Sequence, residues 1–340
     1  MKEKDAYLQF HDAYVENKFM CGKSRSVLTS HFCDYLKRVQ GSVPATGIPI
    51  SEFLTWSDMI PKPNDDLDTR SLMFRVNRAY SHFIWSFTKY SYVVEPEVWG
   101  HMINSEAPKI LPSATLKQLP HWCQWIDAPI RAIRKDRATD TTFQLLSSGF
   151  WASYINYEKD THLNLEVVGS LKINNVPHMM TLQIIFNVTN DIELIDGLDW
   201  NISLHDGQQG KHFGAGSEYG LALNALVNDF MAPTLNVLLF VASEVDNIYK
   251  GGVKQLKPRK QGINYKIIPV RDVREWRVGT ELLNEIRAYD YAVSNCESQG
   301  RRPHIRRAHH HNYWYGPLDK ERELKSRWVP PCFVRGTVPE

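Results

Sequence analysis

Cysteine is scarce in this chain. The five residues, Cys21, Cys33, Cys123, Cys296 and Cys332, are odd in number and scattered over 340 positions. That excludes a disulfide framework and fits a reducing compartment. Long hydrophobic runs are missing too: the longest, residues 237–242 with its flanks, falls well short of the ~20 residues of a membrane span. The opening Met1-Lys2-Glu3-Lys4-Asp5 is mixed in charge and lacks the apolar core of a signal peptide, so a soluble, cytoplasmic protein is expected. Charge of one sign is not in excess. A net +2 supplies no global field toward nucleic acid, so any such contact must rest on a local patch. Internal repeats and coiled-coil heptads are absent, which disfavours a structural virion component. Neither Cys-x-x-Cys nor His-Glu-x-x-His occurs, so no tetrahedral zinc site and no cofactor are expected.

Apolar residues make up 43% and aromatic residues 11% of the chain, the composition of a globular protein. Ten tryptophans favour large buried or recognition surfaces. Basic and aromatic residues concentrate near the C-terminus, in residues 301–317 (RRPHIRRAHHHNYWYGP). Four of the 13 histidines stand at 304, 309, 310 and 311, with four arginines and no acid between 301 and 311. So many donors and flat rings are costly to bury without partners. Pro303 and Pro317 argue against one helix through the segment. As extended chain it alternates: Arg307, His309, His311 and Tyr313 on one face, His304, Arg306, His310 and Trp314 on the other. Such a face suits phosphate and base contacts. The same pattern also serves as a structural strand whose arginines pair with carboxylates elsewhere. A metal site is the third reading, although at most two of the histidines at 309–311 share a face.

Along the chain, apolar spacing predicts helix over residues 5–39 with a break at Cys21-Gly22. A Gly/Pro turn region follows at 41–49, then an exposed loop at 61–68 ending in the helix cap Asp68. Leu72, Val76, Ala79, Tyr80, Phe83, Ile84 and Phe87 describe an amphipathic helix whose exposed face would carry Arg70, Arg75 and Arg78. From 119 the texture becomes strand-like: residues 119–127, 149–157, 163–172, 179–188 and 200–205, with short turn-forming spacers. An antiparallel sheet needs a covering layer, which residues 218–249 supply as one helix, a break near Pro233 and a second, deeply buried helix. Gly214, Gly216 and Gly220 form GxGxxxG, one residue longer than a dinucleotide fingerprint and outside any βαβ unit. Residues 250–271 carry seven cations and no acid, a solvated loop or an extension of the C-terminal patch. A mixed-charge helix is expected over 272–293. The fold class is therefore α+β: a helical N-terminal region (1–118) packed with a mainly antiparallel central sheet, covering helices and a basic C-terminal segment (119–340).

The stretches at 302–316 (RPHIRRAHHHNYWYG) and 327–334 (RWVPPCFV) resemble the second family of type V-A anti-CRISPR proteins, from phages and other mobile genetic elements. Further similarities run in the same order: Leu119-Pro-His-Trp-Cys123, Gly149-Phe-Trp-Ala152, Val241-Ala-Ser-Glu244 leading to Tyr249-Lys-Gly251, and residues 257–264. They cover roughly residues 119–335. His310 and Ala308 depart from the family, which commonly has Trp and Gly there. The resemblance implies an inhibitor of biogenesis of the type V-A CRISPR effector nuclease. It would recognise the N-terminal polypeptide of the effector during translation, in the bacterial cytoplasm, and trigger degradation of its mRNA. The nascent chain is the implied partner, with mRNA or ribosome and a host ribonuclease as further candidates.

That task has two physical parts. An extended nascent peptide is caught by strand addition or in a groove with side-chain pockets, and Trp122, Trp125, Trp151 and Tyr154 on the sheet are the candidate anchors. RNA contact falls to Arg301, Arg302, His304, Arg306, Arg307, His309, His311, Tyr313 and Trp314, joined by Lys257, Arg259 and Lys260. A non-catalytic adapter is one reading. The alternative is a ribonuclease that cleaves the message itself, with His309 and His311 as acid–base pair and Arg306 or Arg307 stabilising the transition-state charge.

Overall fold

The computed structural model describes residues 25–39, 69–103, 110–111, 113–157, 160–189, 192–193, 199–204, 212–213, 219–244, 259–266, 268–294, 304–306, 309–315, 317, 323–329 and 332–334. Its helices are α1 (Arg25–Arg38), α2 (Thr69–Trp85), α3 (Pro96–Ile103), α4 (Ser113–Leu116), α5 (Gly220–Ser243) and α6 (Thr280–Ser294). The long strands are β3 (Cys123–Lys135), β4 (Thr142–Tyr157), β5 (Asp160–Ile173) and β6 (Val176–Asn187). Shorter ones are β1 (Tyr90–Val94), β2 (Ile110–Leu111), β7 (Ile192–Glu193), β8 (Asp199–Leu204), β9 (His212–Phe213), β10 (Arg259–Gln261), β11 (Asn264–Lys266) and β12 (Arg274–Val278). Four more lie near the C-terminus: β13 (His304–Arg306), β14 (His309–Tyr315), β15 (Glu323–Val329) and β16 (Cys332–Val334).

Eight strands form the central sheet, in the order β12-β1-β3-β4-β5-β6-β8-β9. β1 runs parallel to both β12 and β3, and the other pairings are antiparallel, so the sheet is mixed and mainly antiparallel as expected. The β5–β6 hairpin closes through Asn174 and Asn175 at φ 49° and 67°, left-handed values that asparagine tolerates and that match strand twist. Register shifts in β3 and β4 mark bulges at 127–130 and 147–150. There the backbones approach so closely that a Cβ on Gly149 would fall on the Ile126 carbonyl oxygen, and one on Gly169 on that of Leu146.

Both faces of the sheet are covered, by chemistry set by strand alternation. Phe143, Leu145, Phe150, Leu163, Leu165, Val167, Leu182 and Ile184 face one core with α5, α3 and α6. Trp125, Trp151 and Ile155 face a second core with α1 and α2, where Phe32, Tyr80, Phe83 and Trp85 pack. β1 belongs to the sheet although it precedes residue 119.

Three expectations change. α5 is one helix, with Pro233 inside it and no break. The proline removes one ladder bond, a cost of about 3 kcal/mol. Burial of Leu226, Phe230, Leu235, Leu238 and Phe240 alone contributes about 1.5–3 kcal/mol per side chain, and the packing wins. By length and composition α5 would span a membrane, but 72% of its apolar window is buried inside the protein. Second, the helix expected from 272 starts at Thr280, because Arg274–Val278 is the strand β12. Gly279, at φ 88°, turns the chain between the two, and a Cβ there would press on both Val98 methyls at 3.2 Å. Third, Arg78 is not on an exposed helix face but 5% exposed beneath α2. The expectations for residues 5–24, 41–49 and 61–68, for Arg70 and Arg75, and for most of the GxGxxxG loop fall outside what is described.

Candidate functional site

The described parts of the segment, residues 304–306 and 309–315, are extended strands, in keeping with its prolines and alternation. β14 pairs antiparallel with β15 over seven positions, setting His309 opposite Val329, His311 opposite Arg327 and Tyr313 opposite Lys325. β13 pairs with β16, so Arg306 stands opposite Cys332. The alternation is visible in the rings: His309 and His311 lie edge-to-face with centroids 6.4 Å apart. Arg306 and His311 are exposed and His309 half-buried. β16 packs beside α6, which anchors this part of the chain to the α5 side of the sheet.

Arg259 and Lys260 are exposed on β10, in a small hairpin with β11 that turns at Gly262 and packs beside α1. Among the described strands no pairing joins this hairpin to the C-terminal ladders. His304, Tyr313 and Trp314 hold strand positions in β13 and β14. Arg301, Arg302, Arg307 and Lys257 lie outside the described residues.

The four candidate peptide anchors are core side chains: Trp122, Trp125, Trp151 and Tyr154 are at most 3% exposed. Trp125 and Trp151 stack edge-to-face at 4.5 Å, and Trp122 meets Phe32 of α1 at 6.3 Å. Tyr154 points to the other core, where its hydroxyl donates to the Leu116 carbonyl and accepts from Leu119 N–H at 3.1 Å. Burial pushes that phenol well above its ordinary pKa. An incoming peptide would reach the three tryptophans only by displacing α1 or α2.

Sequence reasoning missed a buried polar cluster under α2. Glu166 of β5 receives Arg78 Nε at 2.7 Å on one oxygen and faces His82 Nε2 at 3.3 Å on the other. Arg78 also donates to Thr181 Oγ1 at 2.8 Å. Beside it Ser81 Oγ meets Ser153 Oγ at 2.5 Å, Asn164 donates to Ser81 at 3.0 Å, and Gln183 donates to Asn164 at 2.8 Å. The signal was available: Arg78 and His82 sit four apart on one helix face, and polar Asn164 and Glu166 interrupt an apolar strand. Glu166 and His82 are 0% exposed, so no solute reaches them while α2 is seated. The cluster fixes how α2 docks. Cys123 nearby has its thiol pKa raised by burial, with the Glu166 charge adding to the effect, which keeps it an inert core residue.

His121, in the Leu119–Cys123 stretch, stacks on Tyr90 with ring centroids 3.7 Å apart, and the Arg274 guanidinium lies 5.6 Å from the same Tyr90 ring. Burial, aided by the Arg274 charge, lowers the His121 pKa to about 3. Among the described residues no group of three or more His, Cys, Asp or Glu is placed to hold a metal ion.

A two-sided helix–sheet–helix sandwich with an exposed His/Arg ladder outside it defines an α+β protein. Within that class, the model of the AcrVA2-like family, anti-CRISPR type V subtype A2, matches residues 92–336, and the chain belongs to this family. It is 23% identical to Protein FinQ of Escherichia coli over 304 residues, covering 81% of this chain and 83% of that protein. The crystal structure of AcrVA2 aligns with 98% of this chain and 100% of its own at 18% identity, with a TM-score of 0.46. The family inferred from the C-terminal motifs is the family found.

Proposed function

We propose that this protein is an anti-CRISPR factor that recognises the N-terminal polypeptide of a type V-A CRISPR effector as it is translated in the host cytoplasm, and that it lowers the level of the encoding mRNA. The observation that carries this reading is membership of the AcrVA2-like family over residues 92–336. Two features of the surface are compatible with it. Arg306 and His311 are exposed on adjoining ladders, a cationic and imidazole-bearing surface for RNA or ribosome contact. Burial of the candidate tryptophans leaves peptide capture to other groups, such as exposed backbone and surface side chains.

The adapter form is preferred to a ribonuclease. His309 and His311 have ring centroids 6.4 Å apart, and proximity of two imidazoles does not by itself specify an acid–base pair. Purified protein mixed with a fluorescent effector N-terminal peptide and, separately, with effector mRNA tests both. The adapter predicts micromolar or tighter peptide binding and intact RNA, with or without added metal. RNA cleavage abolished by His309→Ala/His311→Ala, with peptide binding retained, would establish the nuclease instead. Absence of peptide binding would remove the polypeptide-recognition reading.

A further inference from the structure

The α2 side of the sheet is covered only in part. Beyond Val168 and Thr181, the strands β3 to β6 run on past the helix, and their α2-side positions emerge into solvent. Register lines them up in two complete rows. Arg131, Leu146, Ser170 and Met179 make the first; Ile133, Gln144, Lys172 and Pro177 make the second. The opposite faces of the same strands, through Ile130, Ala132, Phe143, Leu145, Leu171 and Met180, are sealed in the α5 core. Ile133 is 49% and Met179 48% exposed, unusual for residues this apolar in the body of a long sheet.

We propose that this bare four-stranded platform is a protein-docking surface for an amphipathic helix that carries an aliphatic stripe flanked by acidic residues. Ile133 on β3, Leu146 on β4 and Met179 on β6 make an apolar track that crosses the platform obliquely. Arg131 and Lys172 supply the charge, and none of the eight positions is acidic. With the Gln144 amide turned so that its oxygen faces Arg131, the guanidinium Nε and Nη2 donate to that oxygen at 3.1 and 3.2 Å. Lys135, two residues further along β3 from Ile133, is already occupied by Asp140 at 2.6 Å.

Size and chemistry select this occupant. Counted at full width, four strands cover about 19 Å and two rows about 13 Å, roughly 250 Å² in all, a footprint on the scale of one helix of ~10–12 Å diameter. That size suits a weak, transient docking contact and not the ~800 Å² per partner of a stable interface such as a dimer. A two-fold pairing with a second copy would also set Arg131 and Lys172 against themselves. Single-stranded nucleic acid is bound through stacking rings, and no position of the two rows is aromatic. The proposal stands on this surface and does not rest on which nascent chain is recognised.

The test is methyl NMR of the full-length protein titrated with a synthetic three-turn helical peptide bearing one leucine stripe flanked by glutamates. Its twin, with every glutamate replaced by lysine, is the control. The acidic peptide is expected to shift the Ile133, Leu146 and Met179 methyl signals, and the basic twin to bind at least about tenfold more weakly. Arg131→Glu/Lys172→Glu should reverse that preference at unchanged Tm. Equal binding of the twins, no shift with either, or shifts confined to other methyls would overturn the proposal. So would single-stranded RNA moving the same methyls in competition with the peptide. The charge comparison uses the wild-type protein, so it holds even where the double variant fails to fold.

Discussion

Glu166 shows how much a single side chain can decide. It is fully buried, and Arg78 and His82 of α2 converge on its two oxygens. Removing one partner of a buried pair leaves an uncompensated charge. Glu166→Ala is therefore expected to cost about 3–5 kcal/mol in urea unfolding; a loss under about 1 kcal/mol would mean that Arg78 finds other partners at no cost. Gly149→Ala acts by steric means, since its Cβ would fall on the Ile126 carbonyl oxygen. A loss of about 1–3 kcal/mol is expected, as for other overpacked positions. His121 provides a pH signature. Its folded pKa of about 3 lies below the ordinary value of 6.5, so between those values the unfolded chain binds a proton that the folded chain refuses. Stability should thus fall as pH drops through this window, by up to ~1.4 kcal/mol per pH unit from this residue. His121→Phe keeps a ring against Tyr90 and should flatten the slope by that amount. An unchanged slope would place the acid sensitivity elsewhere.

Among the elements, those with a strong period were legible from residues alone. Val76, Ala79, Tyr80, Phe83 and Ile84 marked α2, and the alternation in β4 to β6 marked the sheet. The rest failed for physical reasons. In β12 only Trp276 and Val278 alternate with polar residues, too short a pattern to mark a strand, and its strand state comes from pairing with β1. Pro233 read as a break because local propensity was weighed without the core that encloses α5. Arg78 read as exposed because its partner, Glu166, is 88 positions away and only the fold brings them together. At the β5–β6 turn the sequence has Asn174-Asn175 where Asn-Gly suits the left-handed second position better. Asn175→Gly should therefore raise stability slightly, by less than about 1 kcal/mol in thermal unfolding. A decrease would show that the Asn175 side chain is itself needed.

At the scale of the molecule, the sheet separates two cores, and the chemistry left for partners lies outside both. The tryptophans that looked like peptide anchors hold α1 and α2 in place, because large rings next to an apolar helix are buried by default. The C-terminal ladder stays outside, with Arg306 and His311 exposed, and it belongs to the motif that pointed to the family in the first place. The proposed function requires that an effector polypeptide, and not its message, is what is read. Effector mRNA measured in cells expressing this protein, with two altered reporters, decides between polypeptide and message. One recodes the N-terminal codons synonymously, changing the RNA and keeping the peptide; the other shifts the frame across the same codons, keeping the RNA nearly intact and changing the peptide. Transcript loss should persist with the recoded reporter and vanish with the frameshifted one. Loss that follows the nucleotide sequence instead would contradict the account.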